Sequence, residues 1–157
     1  MSKTTRATQA LQQAGIRFAV ATYDYDPGAD RIGLQAAEAM GVPPRIVLKT
    51  LMAEADGKPV CVVVPSDHEV GMKKLAAAFG ARSAQMMRPA DAERLTGYHV
   101  GGISPLGQKR AVPTAIEESA MAEAEIFVNG GQRGLQLRLS PQDLQSALKA
   151  KVVALIA

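Results

Sequence analysis

VLKTLMAEADGKPVCVVVP, residues 47–65, is the stretch whose reading decides the fold. Two apolar, β-rich runs, residues 47–54 and 58–65, flank Asp56-Gly57, a dipeptide suited to the positive-φ positions of a two-residue hairpin turn. The spacing therefore predicts an antiparallel hairpin. Side chains alternate along a strand, so Val47, Lys49, Leu51 and Ala53 share one face. A lysine on that otherwise apolar face must snorkel, pair with an anion, or sit at the rim of a pocket. Spacing leaves an edge lysine and a functional lysine equally open.

Moving outward, Thr4 and Thr5 can cap a helix whose apolar positions Ala7, Ala10, Leu11 and Ala14 follow helical spacing, with Gly15 as its stop. Residues 18–23 read as a strand, and residues 24–30, with Asp26-Pro27-Gly28, as a loop. Residues 34–40 form a short Ala-rich helix closed by Gly41. Beyond the hairpin, helices are expected over residues 69–79 and 89–95, and a Gly-rich irregular stretch over 98–108. Strands follow at 111–116, 126–129 and 134–139. Ser140-Pro141-Gln142-Asp143 opens a last helix, because it combines a capping hydroxyl, a first-turn proline and an early acid. Residues 152–156 end the chain as a strand or a helix end. Strands and helices alternate irregularly around a hairpin, which predicts a mixed α/β fold with helices packed outside a mixed sheet.

Composition bounds the function. The chain has 157 residues, enough for one domain with its own core, and we read 1–157 as that single domain. Hydrophobic residues make up 47% and charged residues 21%, which excludes wholesale disorder. One cysteine excludes a disulfide framework and a Cys-rich zinc site. The net charge of +3 comes from scattered basic residues, so no basic arm is present, and 4% aromatics argue against base-stacking platforms. No apolar run reaches the ~20 residues of a membrane helix. Residues 1–9 are polar, so no secretory segment is expected and the protein is expected in the cytoplasm, away from membranes.

Standard catalytic sets fail one by one. Cys61 lies within a valine run and reads as a small buried hydrophobe. His68 and His99 are the only histidines, have no metal-ligand spacing, and read as surface residues. No serine-nucleophile elbow occurs. Two Gly-rich loops remain, residues 101–107 (GGISPLG) and 129–134 (NGGQRG), whose backbone N–H groups can approach an anion or carbonyl closely. Neither fits the phosphate-loop or dinucleotide pattern.

Lys49-Thr50-Leu51, residues 96–109 (TGYHVGGISPLGQK) and residues 130–135 (GGQRGL) together closely resemble the bacterial YbaK/EbsC family. These are trans-editing deacylases for mischarged proline tRNA, related to the editing domain inserted in bacterial prolyl-tRNA synthetase. The resemblance runs in the same order over essentially the whole chain. It implies a mixed, partly barrel-like sheet flanked by helices, hydrolysis of Cys-tRNA(Pro), and no metal or organic cofactor. It further implies mischarged proline tRNA, and prolyl-tRNA synthetase, as partners.

Residue by residue, the resemblance makes Lys49 the pocket lysine and Thr50 its neighbour. Tyr23 becomes a pocket aromatic, Gly101 and Gly102 the loop facing the substrate, and Gly130 and Gly131 the second loop. Ser104 and Pro105 belong to the substrate-facing run. Three departures touch the lining: Arg31-Ile32 stand where Asn-Phe is usual, Asn129 where Ser is, and Gln136 where an acid is. Such changes alter amino-acid preference more readily than fold or chemistry. The aminoacyl ester is already activated, so loop amides for the oxyanion and the substrate's own thiol as attacking group would suffice. Lys49 would hold the terminal phosphate or polarise the site. A non-catalytic module that captures aminoacyl-tRNA or a synthetase is the alternative, as is a deacylase of different amino-acid preference.

Overall fold

A computed structural model of the chain describes residues 4–28 and 31–157. Its elements run α1 (Arg6–Gln13), β1 (Ala19–Thr22), α2 (Ile32–Met40), β2 (Leu48–Ala55), β3 (Lys58–Pro65), α3 (Met72–Ala78), β4 (Ala84–Met86), α4 (Pro89–Thr96), β5 (Thr114–Glu117), β6 (Ile126–Asn129), β7 (Leu135–Leu139), α5 (Pro141–Leu148) and β8 (Lys151–Val153). Short 3-10 turns occupy Pro44–Ile46 and Glu118–Ala122. Of the expected 24–30 loop, residues 29–30 lie outside the described residues, as do residues 1–3 of the polar N-terminus.

The hairpin forms as its sequence predicts. β2 and β3 pair antiparallel from Leu48↔Pro65 to Ala55↔Lys58, and Asp56 (φ 48°) and Gly57 (φ 78°) make the turn. The Asp56 carboxylate then accepts from the Arg82 and Ser83 N–H groups, tying the turn to the chain before β4. Around the hairpin grows a five-stranded sheet in the order β4-β2-β3-β5-β8, with β3–β5 and β5–β8 parallel. The second sheet is antiparallel, in the order β1-β7-β6. An isolated bridge, Val47↔Phe127, links the two. The partly barrel-like sheet is therefore two sheets meeting at β2 and β6, without closure into a barrel.

One core cluster joins the sheets, with Leu48, Met52, Cys61, Val63 and Ile116 from the large sheet against Ile126, Val128 and Leu137 from the small one. Leu11 of α1 and Leu144 of α5 close it. The opposite face of the hairpin, Ala53, Val60, Val62 and Val64, packs on Leu75 of α3 and on Leu155.

Local signals account for most element ends. Thr5 caps α1 through a reciprocal pair with Thr8, and Ser140 caps α5 through the Asp143 N–H. α2 ends at Gly41 in the left-handed region. α3 starts three residues later than its pattern suggests, because Val70 bridges Ile156 and the Gly71 N–H donates to Leu155 O. The chain end is held by Glu117, 2% exposed, whose carboxylate accepts from the Ser119, Leu155 and Ile156 N–H groups. Burial alone would raise that carboxyl, but these donors outweigh it and hold it below the ordinary glutamate value.

Candidate functional site

β4 pairs only with Ala53–Ala55 of β2, so no strand continues along that edge from Leu48 to Met52. A cavity of about 550 Å³ occupies the gap, a size suited to a small organic ligand. Arg31, Ile32 and Gly33 at the start of α2 form one wall, with Ser66 and Glu69 behind β3. Met86, Met87, Pro89 and Ala92 form another, and Val100, Gly101 and Ile103 of the first glycine loop a third. Asn129 of β6 and Gln136 of β7 complete the lining. Because the cavity follows an open strand edge, successive residues Lys49 and Thr50 both reach it despite pointing to opposite faces.

Lys49 lines the cavity from β2. Its side chain is 22% exposed and its Nζ stands 3.8 Å from Glu69 Oε2, on a side chain that is 74% exposed. A pair this long and open contributes little to stability. Lys49 is thus a rim lysine, loosely held. Among the described residues, Arg31 and Lys49 are the cations of the lining and Glu69 is its one carboxylate.

The glycine loops are fastened to each other. Asn129 Nδ2 donates to Gly101 O at 3.2 Å, while its Oδ1 accepts from the Gly131 N–H at 2.7 Å. Arg133 Nε donates to Val100 O at 2.9 Å, and its guanidinium stacks 5.4 Å from the centre of the Tyr25 ring. On the other side, Glu93 of α4 accepts from the Val100 N–H at 2.8 Å. That bond, with smaller help from His99 and Arg133, holds the Glu93 carboxyl below its usual value. Gly101 lies at φ +90°, and a methyl there would meet the Tyr25 hydroxyl at 2.8 Å and Arg133 Nε at 3.2 Å.

Most of these amides are already used, which corrects one expectation. The Gly102 N–H donates to His99 O, Gly130 N–H to Leu135 O, and Gly131 N–H to Asn129 Oδ1. None of the three is available to an oxyanion, and none of these residues lines the cavity. Gly102 instead packs directly on the Gln132–Arg133 backbone, and Gly131 on the Tyr98 ring. Ser104 and Pro105 are fully buried or nearly so, and Ser104 Oγ accepts from the Leu106 N–H, so both shape the loop from behind. Gly101 and Ile103 remain as cavity-lining loop residues whose N–H groups meet no acceptor among the described residues.

Thr50 Oγ1, Gln136 Oε1 and the Tyr23 hydroxyl are buried without a hydrogen-bond partner among the described residues. Tyr23 does not line the cavity, and burial pushes its phenol up. Cys61 is fully buried and its thiol is pushed up to about 12 by desolvation, against weak bonds from Gln108 and Thr114. His68 and His99 are exposed. Ile103, Met86 and Met87 escaped the sequence reading. Ile103 was hidden inside a loop read for its glycines, and Met86 ends, and Met87 follows, a three-residue strand too short to show a pattern.

Residues 26–147 match the aminoacyl-tRNA editing domain family. The chain is 33% identical over 144 residues to the protein of Enterococcus faecalis (strain ATCC 700802 / V583) named "Putative Cys-tRNA(Pro)/Cys-tRNA(Cys) deacylase EbsC", covering 90% of this chain and 87% of that one. It is 38% identical over 124 residues to a proline--tRNA ligase of Nitratidesulfovibrio vulgaris (strain ATCC 29579 / DSM 644 / CCUG 34227 / NCIMB 8303 / VKM B-1760 / Hildenborough), which covers 79% of this chain but 21% of the ligase. A solved structure titled "Crystal structure of a putative trans-editing enzyme for prolyl tRNA synthetase" superposes with a TM-score of 0.82 at 22% identity, over 97% of this chain and 95% of that one. Its likeness speaks for the fold. With the family match spanning most of the chain and a relative aligned nearly end to end, the protein belongs to the aminoacyl-tRNA editing domain family.

Proposed function

We propose that this editing domain deacylates mischarged tRNA by hydrolysing the ester between amino acid and terminal ribose, with Cys-tRNA(Pro) as its substrate. The observation that carries the reading is the cavity itself: among the described residues its lining holds two cations, two uncommitted loop N–H groups, and neither a cysteine nor a histidine. That inventory suits an ester that needs positioning and charge stabilisation more than a protein nucleophile. Lys49 at the rim binds an anionic phosphate of the tRNA end, and the Gly101 and Ile103 N–H groups face the developing oxyanion. The substrate thiol attacks its own carbonyl, expelling the ribose oxygen, which takes up a proton. The resulting cyclic thioester, freed from the tRNA, is then opened by water.

The choice of cysteine and of proline tRNA is supported by the name of the Enterococcus relative and by the proline--tRNA ligases that align with this chain. Prolyl-tRNA synthetase is the corresponding partner protein. Among the described residues, no group of three His, Cys, Asp or Glu comes together as a metal site would require, and no helix is long and apolar enough to cross a membrane. The test is deacylation of a panel of mischarged tRNAs by purified protein, with and without a chelator. Chelator-insensitive release of cysteine from proline tRNA is expected. No release from any member would refute the reading, and zinc-dependent release would refute the mechanism.

A further inference from the structure

His99 to Gly102 form a tight turn, closed by the Gly102 N–H donating to His99 O at 2.8 Å. Its third residue, Gly101, has φ +90°, the left-handed value that a type II turn requires there. Turning the central Val100–Gly101 peptide over converts such a turn to type I, and glycine adopts the negative φ of type I as readily. The two orientations present different groups. The peptide is trans, so its C=O and N–H point to opposite sides. Val100 O accepts from Arg133 Nε at 2.9 Å, and Arg133 is not among the residues lining the cavity, whereas Val100 and Gly101 are. The Gly101 N–H thus points away from Arg133. Turned over, the same peptide would set a carbonyl oxygen where that donor stands, and would repel an oxyanion. The flanking peptides have their own partners: Glu93 accepts from the Val100 N–H at 2.8 Å, and Asn129 Nδ2 donates to Gly101 O at 3.2 Å. The central one is held by Arg133, whose guanidinium stacks 5.4 Å from the centre of the Tyr25 ring.

Resting on the deacylase reading above, we propose that Arg133 is a positioning residue for the reaction: its bond to Val100 O locks the central peptide of this turn, so that the Gly101 N–H stays turned to the ester carbonyl. Arg133 does this without touching the substrate. A cationic donor on the carbonyl also polarises the peptide and strengthens its N–H as a donor. Arginine suits the task because its planar group can stack on a ring while its side-on Nε–H donates. A lysine ammonium brings the charge without the plane. The Tyr25 ring keeps this exposed guanidinium ordered, which ties the segment before α2 to the glycine loop.

The experiment measures single-turnover hydrolysis of Cys-tRNA(Pro) over a range of enzyme concentrations, which separates the maximal rate from half-saturation. An oxyanion develops only in the transition state, so a lost or turned donor lowers the maximal rate and spares binding. Arg133→Met should cut the maximal rate by ~30-fold or more and move half-saturation by less than ~3-fold. Arg133→Lys should stay at least ~10-fold slow despite its charge. Tyr25→Ala should lower the maximal rate in the same way, and Tyr25→Phe, which keeps the ring, should restore most of it. A weaker half-saturation in Arg133→Met at an unchanged maximal rate would overturn the proposal, because Arg133 would then be a tRNA contact. Full rescue by Arg133→Lys would overturn it as well, leaving a charge effect alone. Both results leave the deacylase reading intact, whereas no release by wild type would bring down that reading and the proposal with it. Should Arg133→Met fail to unfold cooperatively, the Tyr25 pair decides: equal maximal rates in Tyr25→Ala and wild type would overturn the proposal.

Discussion

At the scale of single residues, Gly101 carries two constraints at once. Its φ of +90° excludes most side chains, and the neighbouring Tyr25 hydroxyl and Arg133 Nε leave no room for a methyl. Gly101→Ala should therefore cost ~1–3 kcal/mol of stability and lower deacylation more than tenfold by displacing the loop. Urea unfolding and turnover on one preparation check this, and unchanged values would contradict it. Cys61 makes the opposite case. A fully buried thiol pushed up to about 12 is no nucleophile at neutral pH. Cys61→Ala should leave turnover intact and cost ~1 kcal/mol; a folded but inactive variant would refute the structural role. Both residues were legible in the sequence, one from its valine neighbours and one from its glycine run. What the sequence could not show is which loop amides are spent, since Gly102, Gly130 and Gly131 donate to acceptors that only the folded loops bring near.

At the scale of elements, local chemistry was read well wherever a turn or cap dictates the outcome. The Asp56-Gly57 hairpin, the Ser140 cap and the residues of β6 all follow from short-range signals. Misreadings occur where partners are distant. The start of α3 is taken over by the chain end, and β4 exists because Ala84–Met86 can add to the edge of β2, not because of its own pattern. Glu117 shows the same dependence, gathering N–H groups from Leu155 and Ile156 at the other end of the sequence. Its carboxyl is held below the ordinary value, so its contribution is complete above the unfolded-state pKa of ~4.3 and is lost as pH falls through the folded value. Glu117→Gln should cost ~1–3 kcal/mol at neutral pH and flatten the acid limb of stability. Urea midpoints from neutral pH downward measure this. Parallel curves for variant and wild type would contradict it.

At the scale of the whole molecule, the cavity was the least legible feature, because its walls come from residues spread from Arg31 to Gln136 and meet only where two sheets join without closing. Lys49 could be suspected from alternation along one strand; its place at the open edge of β2 required the sheet order. The net charge of +3 supplies weak steering, so tRNA affinity should rest on a few phosphate contacts. It should fall about tenfold between ~50 and ~200 mM salt, and a salt-independent affinity would remove the electrostatic part of the account. The central claim, that the cavity rimmed by Lys49 is where the ester is cleaved, is tested most directly by single-turnover release of cysteine from Cys-tRNA(Pro) with wild type and Lys49→Ala. Both proteins must first be shown to unfold cooperatively. The account predicts release by wild type and a rate lower by ~100-fold or more in the variant, because the lysine's pairing with Glu69 is too loose to matter for the fold. Near-normal release by a folded Lys49→Ala would contradict it.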